Sequence, residues 1–115
     1  MTPNRGSASE SPQLRKLRER IDRLDRQIVE LLNERAELTK RVGHEKLRLG
    51  RRAIRDAERE REVLLRVSIA NEGPLPQADL LSIYRRLIAS ARTLEARERE
   101  RARRDGGTGG EPPGA

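Results

Sequence analysis

Cysteine, phenylalanine and tryptophan are all missing from this chain of 115 residues. Without cysteine there is no disulfide, no thiolate zinc site and no thiol nucleophile. One tyrosine, Tyr84, is the whole aromatic content, which leaves nothing on which nucleic-acid bases would stack. The single histidine, His44, makes neither a metal cluster nor a catalytic triad by itself. No run of about 18 apolar residues occurs, so no segment reads as a membrane span, and Met1 to Ser11 carries no apolar stretch of the secretory kind. These absences point to a cytoplasmic protein. Hydrophobic residues are also scarce, at 33% against 39% charged, and a chain so short and polar has difficulty enclosing a core alone.

Charge is abundant. The net charge of +7 invites a nucleic-acid reading, but 19 acidic residues are interleaved with the 26 basic ones. Glu58 and Glu62 beside Arg59 and Arg61 show the pattern, which is that of a solvated helix face.

The two ends, 1–11 and 105–115, are rich in Gly, Pro and Ser and read as disordered tails around one helical domain over 12–104. Ser11-Pro12 reads as an N-cap followed by proline at the first helical position. From there Leu14, Leu17, Ile21, Leu24, Ile28 and Leu31 recur at spacings of 3 and 4, and the seam continues through Leu38 and Val42 to a stop at Gly50. This predicts a helix over about 12–49, roughly 57 Å long. The rest of so short a chain does not cover a seam of that length, so a second copy is expected to bury it in a two-fold homodimer. A second helix is expected from near Ile54–Asp56 to near Asn71, before the Gly73-Pro74 break. A third opens at Pro76, carries Leu80, Tyr84, Leu87, Ile88, Ala91 and Leu94 on one stripe, and dissolves into the charged run Glu95–Arg104. The fold class is all-α, with three helices that are long, medium and long.

Charges interrupt these stripes. Arg35 occupies a core position between Leu31 and Leu38, and Lys46 lies 11 residues further, about three full turns, so both cations point inward. Asp56, Arg59, Glu60 and Val63 share a face by the same arithmetic, and Glu95 follows Ala91 and Ile88 on the third stripe. One reading is a closed structural network among Arg35, Lys46, Asp56, Arg59, Glu60 and Glu95, because buried charges need partners. The other is that surplus inward cations await an anionic ligand, which arginine grips bidentately when it is a carboxylate. Arg18 is rotated by about 100° from Arg35, so it is either an exposed helix arginine or one that reaches the pocket of a partner subunit.

Leu17-Arg18-x-x-Ile21-Asp22-x-Leu24-Asp25, Leu31-Leu32-x-x-Arg35, Val42-Gly43-x-x-Lys46, Arg55-Asp56-x-x-Arg59-Glu60 and Ile83-Tyr84-x-x-Leu87-Ile88 follow one another in order. Together they resemble the all-helical class of chorismate mutase, a single-domain intertwined dimer, over about residues 14–96. The resemblance implies a Claisen rearrangement of chorismate to prephenate in phenylalanine and tyrosine biosynthesis, with no cofactor and no metal. It implies that Arg35 binds one substrate carboxylate, that Arg18 of the partner subunit binds the other, and that Lys46 contacts a carboxylate and the ether oxygen. Asp56 and Glu60 match positions near the substrate hydroxyl, and Arg59 matches an arginine of the same wall. A partner enzyme that stimulates activity is compatible with the resemblance, but no residue identifies one.

Two positions depart from the family's pattern. A donor to the ether oxygen is commonly glutamine, where this chain has Glu95. An ionised glutamate only accepts hydrogen bonds, whereas a protonated one donates; burial and a nearby lysine act in opposite directions on such a carboxyl. The expectation is activity displaced to acid pH, unless Glu95 swings outward to join Arg97–Arg101. A serine usual four residues earlier is Ala91, and the adjacent Ser90 is rotated by about 100°. The nearest alternative is an isochorismate–pyruvate lyase of the same fold, against which the Arg55-Asp56-x-x-Arg59-Glu60 block speaks. A non-catalytic basic helical binding protein is the alternative from another class, with the Arg97–Arg104 end read as solvated helix.

Overall fold

The computed structural model describes residues 10–51 and 56–105. The disordered tails expected at 1–11 and 105–115 lie almost wholly outside the described residues. Three helices form in the expected order: α1 (Pro12–Arg48), α2 (Ala57–Ala70) and α3 (Gln77–Asp105). The chain divides into two compact units, Met1–Arg35 and Ala36–Ala115.

In the first unit α1 starts where the sequence places a cap: the Leu14 backbone N–H donates to Ser11 Oγ at 3.0 Å, satisfying one of the orphan donors of a first helical turn. Leu17, Ile21, Leu24, Ile28 and Leu31 are all exposed, Leu31 at 62%. The seam is therefore present and open in a single chain.

The second unit holds the end of α1 together with α2 and α3. Gly50, with φ of 76°, stops α1: its N–H donates to the Leu47 carbonyl at 2.9 Å, and the Arg51 N–H donates to the Lys46 carbonyl at 2.9 Å. This paired closure uses a left-handed residue that only glycine adopts without cost. Asp56 caps α2 through a 3.0 Å bond from the Arg59 backbone N–H to its Oδ1. The α2–α3 turn is tied by Asn71, whose amide donates to the Leu75 carbonyl at 3.1 Å and to Gln77 Oε1 at 2.8 Å, while Gln77 donates to the Ser68 carbonyl at 3.1 Å. Glu60, Val63, Leu64 and Val67 of α2 are half-buried, as are Leu80, Tyr84, Leu87, Ala91 and Leu94 of α3, and the two helices pack together.

One expectation is corrected. α3 does not dissolve after Glu95 but stays helical to Asp105, and within the supposed solvated run Glu98 and Arg99 are each only 7% exposed. Among the described residues Ile88 is the one buried hydrophobic side chain, whereas Lys46, Glu95, Glu98 and Arg99 are all buried. The interior of this unit is thus largely ionic, and ionic interiors require paired charges.

The Asp56 carboxyl is held below its ordinary value, first by the Arg59 N–H it accepts, with the positive charges of Arg51 and Lys46 adding to this against some desolvation. A carboxyl depressed in this way contributes stability above its ordinary pKa and loses it as pH falls through the folded value. Asp56→Ala is expected to lower Tm near neutrality, with the gap from the parent closing below about pH 4. Asp56→Asn, whose amide oxygen still caps, should lose less. Thermal melts of the three proteins across pH check this, and a gap that does not change with pH would contradict it.

Candidate active site

The site in the second unit is built where α1 and α3 approach each other at Gly43 and Glu95. A methyl group added at Gly43 would lie 3.3 Å from Glu95 Cα and 3.5 Å from its carbonyl oxygen, so the absent side chain is what lets the two backbones approach. Three residues further along α1, Lys46 Nζ meets Glu95 Oε1 at 2.7 Å, with side chains only 10% and 11% exposed. Charge-assisted bonds of this length are strong, and strongest when water is excluded. Glu95 therefore points inward as expected from its stripe, and not toward Arg97–Arg101.

α2 supplies the adjoining wall. Glu60, its side chain 16% exposed, accepts both bonds from Arg92 Nη1, at 3.1 Å to Oε1 and 3.0 Å to Oε2. Asp56 is half-buried at the head of α2 and has Arg51 at 3.6 Å. Arg59 stands apart from this group: its guanidinium is 56% exposed and donates to Glu62 at 2.7 Å. Asp56, Glu60 and Val63 are half-buried, whereas Arg59, four residues before Val63, is exposed with its side chain on Glu62. Ala91 is half-buried and Ser90 exposed, so no serine hydroxyl enters from that turn.

Below the Lys46–Glu95 pair lies a second ionic group absent from the expectations. Glu98 Oε1 is 2.7 Å from His44 Nε2, and its Oε2 accepts from Arg101 at 3.1 Å and faces Lys40 at 3.8 Å. Its carboxyl is held below the ordinary range, chiefly by the His44 bond and further by Lys40 and Arg101, against some desolvation. On the other side, Leu47, Gly50, Arg51, Arg99 and Arg103 line a hollow of about 410 Å³. Arg92 and Glu98 each lie three residues from Glu95, which is the helical spacing that would have flagged them.

In the first unit Arg18 is 60% exposed and pairs with Glu10 of its own chain. Arg35 is half-buried on α1, eleven residues before Lys46. The grouped residues Lys46, Asp56, Glu60, Arg92 and Glu95 include neither a hydroxyl nor a thiol. They offer charge and hydrogen bonds: an ammonium, a guanidinium, and carboxyls that accept when ionised and donate when protonated. Such an arrangement orients an anion and stabilises developing charge without covalent catalysis.

Comparison with known proteins agrees with this architecture. Residues 17–96 match the family described as chorismate mutase type II. A bifunctional chorismate mutase/prephenate dehydratase of Aquifex aeolicus is 41% identical over 87 residues, which is 72% of this chain and 24% of that protein. Its counterpart in Stutzerimonas stutzeri is 35% identical over 91 residues, 76% of this chain and 25% of that protein. The chain thus spans about a quarter of the length of these relatives. Among solved structures, the chorismate mutase (form II) of Thermus thermophilus superposes with a TM-score of 0.70 at 30% identity, covering 74% of this chain and 96% of that one.

The contact at Gly43 has a testable consequence. Alanine gains up to about 1 kcal/mol of helix propensity over glycine, but a methyl pressed on backbone atoms costs about 1–3 kcal/mol. Gly43→Ala is expected to leave Tm nearly unchanged or slightly lowered while lengthening the Lys46–Glu95 bond. Gly43→Val, bulkier and a weaker helix former, should lower Tm clearly. Melting curves with a crystal structure of the alanine variant check both, and a valine variant as stable as the parent would contradict the close approach.

Proposed function

The chain belongs to the chorismate mutase type II family, and from that premise we propose that it catalyses the rearrangement of chorismate to prephenate. The observation that carries the proposal is the buried Lys46–Glu95 contact at 2.7 Å, set at the two positions whose family counterparts handle the ether oxygen. The reaction breaks a C–O bond as a C–C bond forms within one molecule. It needs a compact conformer and stabilisation of negative charge growing on the ether oxygen.

The dianion completes the charge balance of the site. Lys46 donates to the ether oxygen and a carboxylate, and Arg35 stands at the position whose family counterpart binds a substrate carboxylate. Asp56 and Glu60 lie toward the substrate hydroxyl, with Glu60 held by Arg92 at 3.0 Å. Arg59 lines the same wall once substrate draws its side chain inward from Glu62. The cations around the neighbouring hollow raise the local concentration of an anionic substrate. Glu95 serves as the second donor in its protonated form, because an ionised carboxylate only accepts and would repel the developing oxyanion.

A second copy supplies what one chain lacks. The open seam Leu17, Ile21, Leu24, Ile28 and Leu31 matches a helix of the same kind, and an exposed Arg18 reaches the other substrate carboxylate in the partner's site. We place the enzyme in the cytoplasm, in phenylalanine and tyrosine formation; among the described residues no helix is long and apolar enough to cross a membrane.

Two measurements test the reading. The rate with chorismate is expected to rise as pH falls from about 9 to about 4, and Glu95→Gln should flatten that profile by supplying a permanent donor. A variant with the parent profile would remove Glu95 from the chemistry. The shared site is tested by co-refolding Arg18→Ala with Lys46→Ala. Each is nearly inactive alone, but half the dimers are mixed and one site in each mixed dimer is intact, so about a quarter of parental activity returns. No recovery would mean that Arg18 serves no partner's site.

A further inference from the structure

The Lys46–Glu95 contact joins two helices, and a single bond between long side chains does not fix the rotation of either helix. A second contact does. Glu98 lies three residues after Glu95 on α3, and His44 two residues before Lys46 on α1. The two carboxyls therefore leave α3 on one face and close on α1 at equal distances, 2.7 Å for Lys46–Glu95 and 2.7 Å for His44–Glu98. Gly43 lies between His44 and the preceding turn and sets the approach. Glu98 is 7% exposed, although nothing in the proposed reaction uses it.

We propose that Glu98 is a positioning residue for the reaction: its bond to His44 sets the rotation of α3 against α1 that puts the Glu95 carboxyl on Lys46. This rests on the chorismate mutase reading for its kinetic consequence but not for its geometry. The groups facing Glu98 are Lys40 and His44 from α1 and Arg101 from α3 itself. Lys40 and Arg101 balance its charge. His44 supplies the short directional bond, and a neutral acceptor at position 98 retains that bond without the charge. Removing Glu98 frees α3 to rotate and lets Glu95 drift from Lys46, so the donor pair arrives misaligned at the ether oxygen. Misplacement of this kind slows the chemical step more than it weakens binding.

The experiment measures kcat and KM for chorismate, and the Lys46 Nζ–Glu95 Oε1 distance by crystallography, in Glu98→Leu, Glu98→Gln, His44→Leu and the double leucine variant. Glu98→Leu is expected to lower kcat about tenfold with KM changed less than about twofold, and to lengthen the Lys46–Glu95 bond. Glu98→Gln should recover most of the loss. His44→Leu should match Glu98→Leu, and the double variant should be no worse than either, as for two residues acting through one contact. If Glu98→Leu fails to fold, Glu98→Gln and His44→Leu carry the test, because His44 is half-exposed and its loss opens no cavity. Unchanged kcat and an unchanged Lys46–Glu95 distance in His44→Leu would overturn the proposal. Absence of mutase activity in the parent, with the distance still lengthened in the variants, would overturn the function but leave the positioning role standing.

Discussion

One close approach between two helices governs this unit: α1 and α3 meet at Gly43 and Glu95, where even a methyl group would press on the facing backbone. That approach brings Lys46 and Glu95 to 2.7 Å in a place from which water is largely excluded. Burying an isolated lysine or glutamate is costly, and the pair recovers that cost only with good geometry. The glycine, the C-terminal closure at Gly50 and the cap at Asp56 all serve that geometry, holding the ends of α1 and α2 beside the pair.

An interior this ionic is poor at specifying a stable monomer. Ile88 is the one buried hydrophobic among the described residues, while long stretches of apolar side chain on α1 lie open. Stability and site completion then draw on the same event. In the proposed dimer, a second copy laid along the seam would remove apolar surface from water and would carry Arg18 to the partner's site.

Much of this was legible in the sequence. The 3-4 seam of α1, the Ser11-Pro12 start, the Gly50 stop and the Gly73-Pro74 break are local signals with local causes, and the helices follow them closely. Lys46 and Glu95 were legible as charges on apolar stripes. Arg59 lies four residues before half-buried Val63 yet is exposed, because its long side chain pairs outward with Glu62, which helical counting does not show. The buried part of the run after Glu95 was hidden because alternating Arg and Glu look alike on every face of a helix; only the partners on α1, Lys40 and His44, distinguish Glu98 from Glu100. Arg92 was passed over for a similar reason, since its partner Glu60 sits 32 residues away on another helix.

The departure at Glu95 gives the site its own character. Where a glutamine donor is permanent, a glutamate donates only in its protonated form, so on the proposed reading substrate binding and proton uptake are coupled. Calorimetric titration of a rigid bicyclic dicarboxylate that mimics the transition state, in buffers of differing ionisation enthalpy, measures this directly. The account predicts saturable binding with uptake of about one proton per site near neutral pH, abolished in Glu95→Gln. Tight binding with no proton taken up would contradict it.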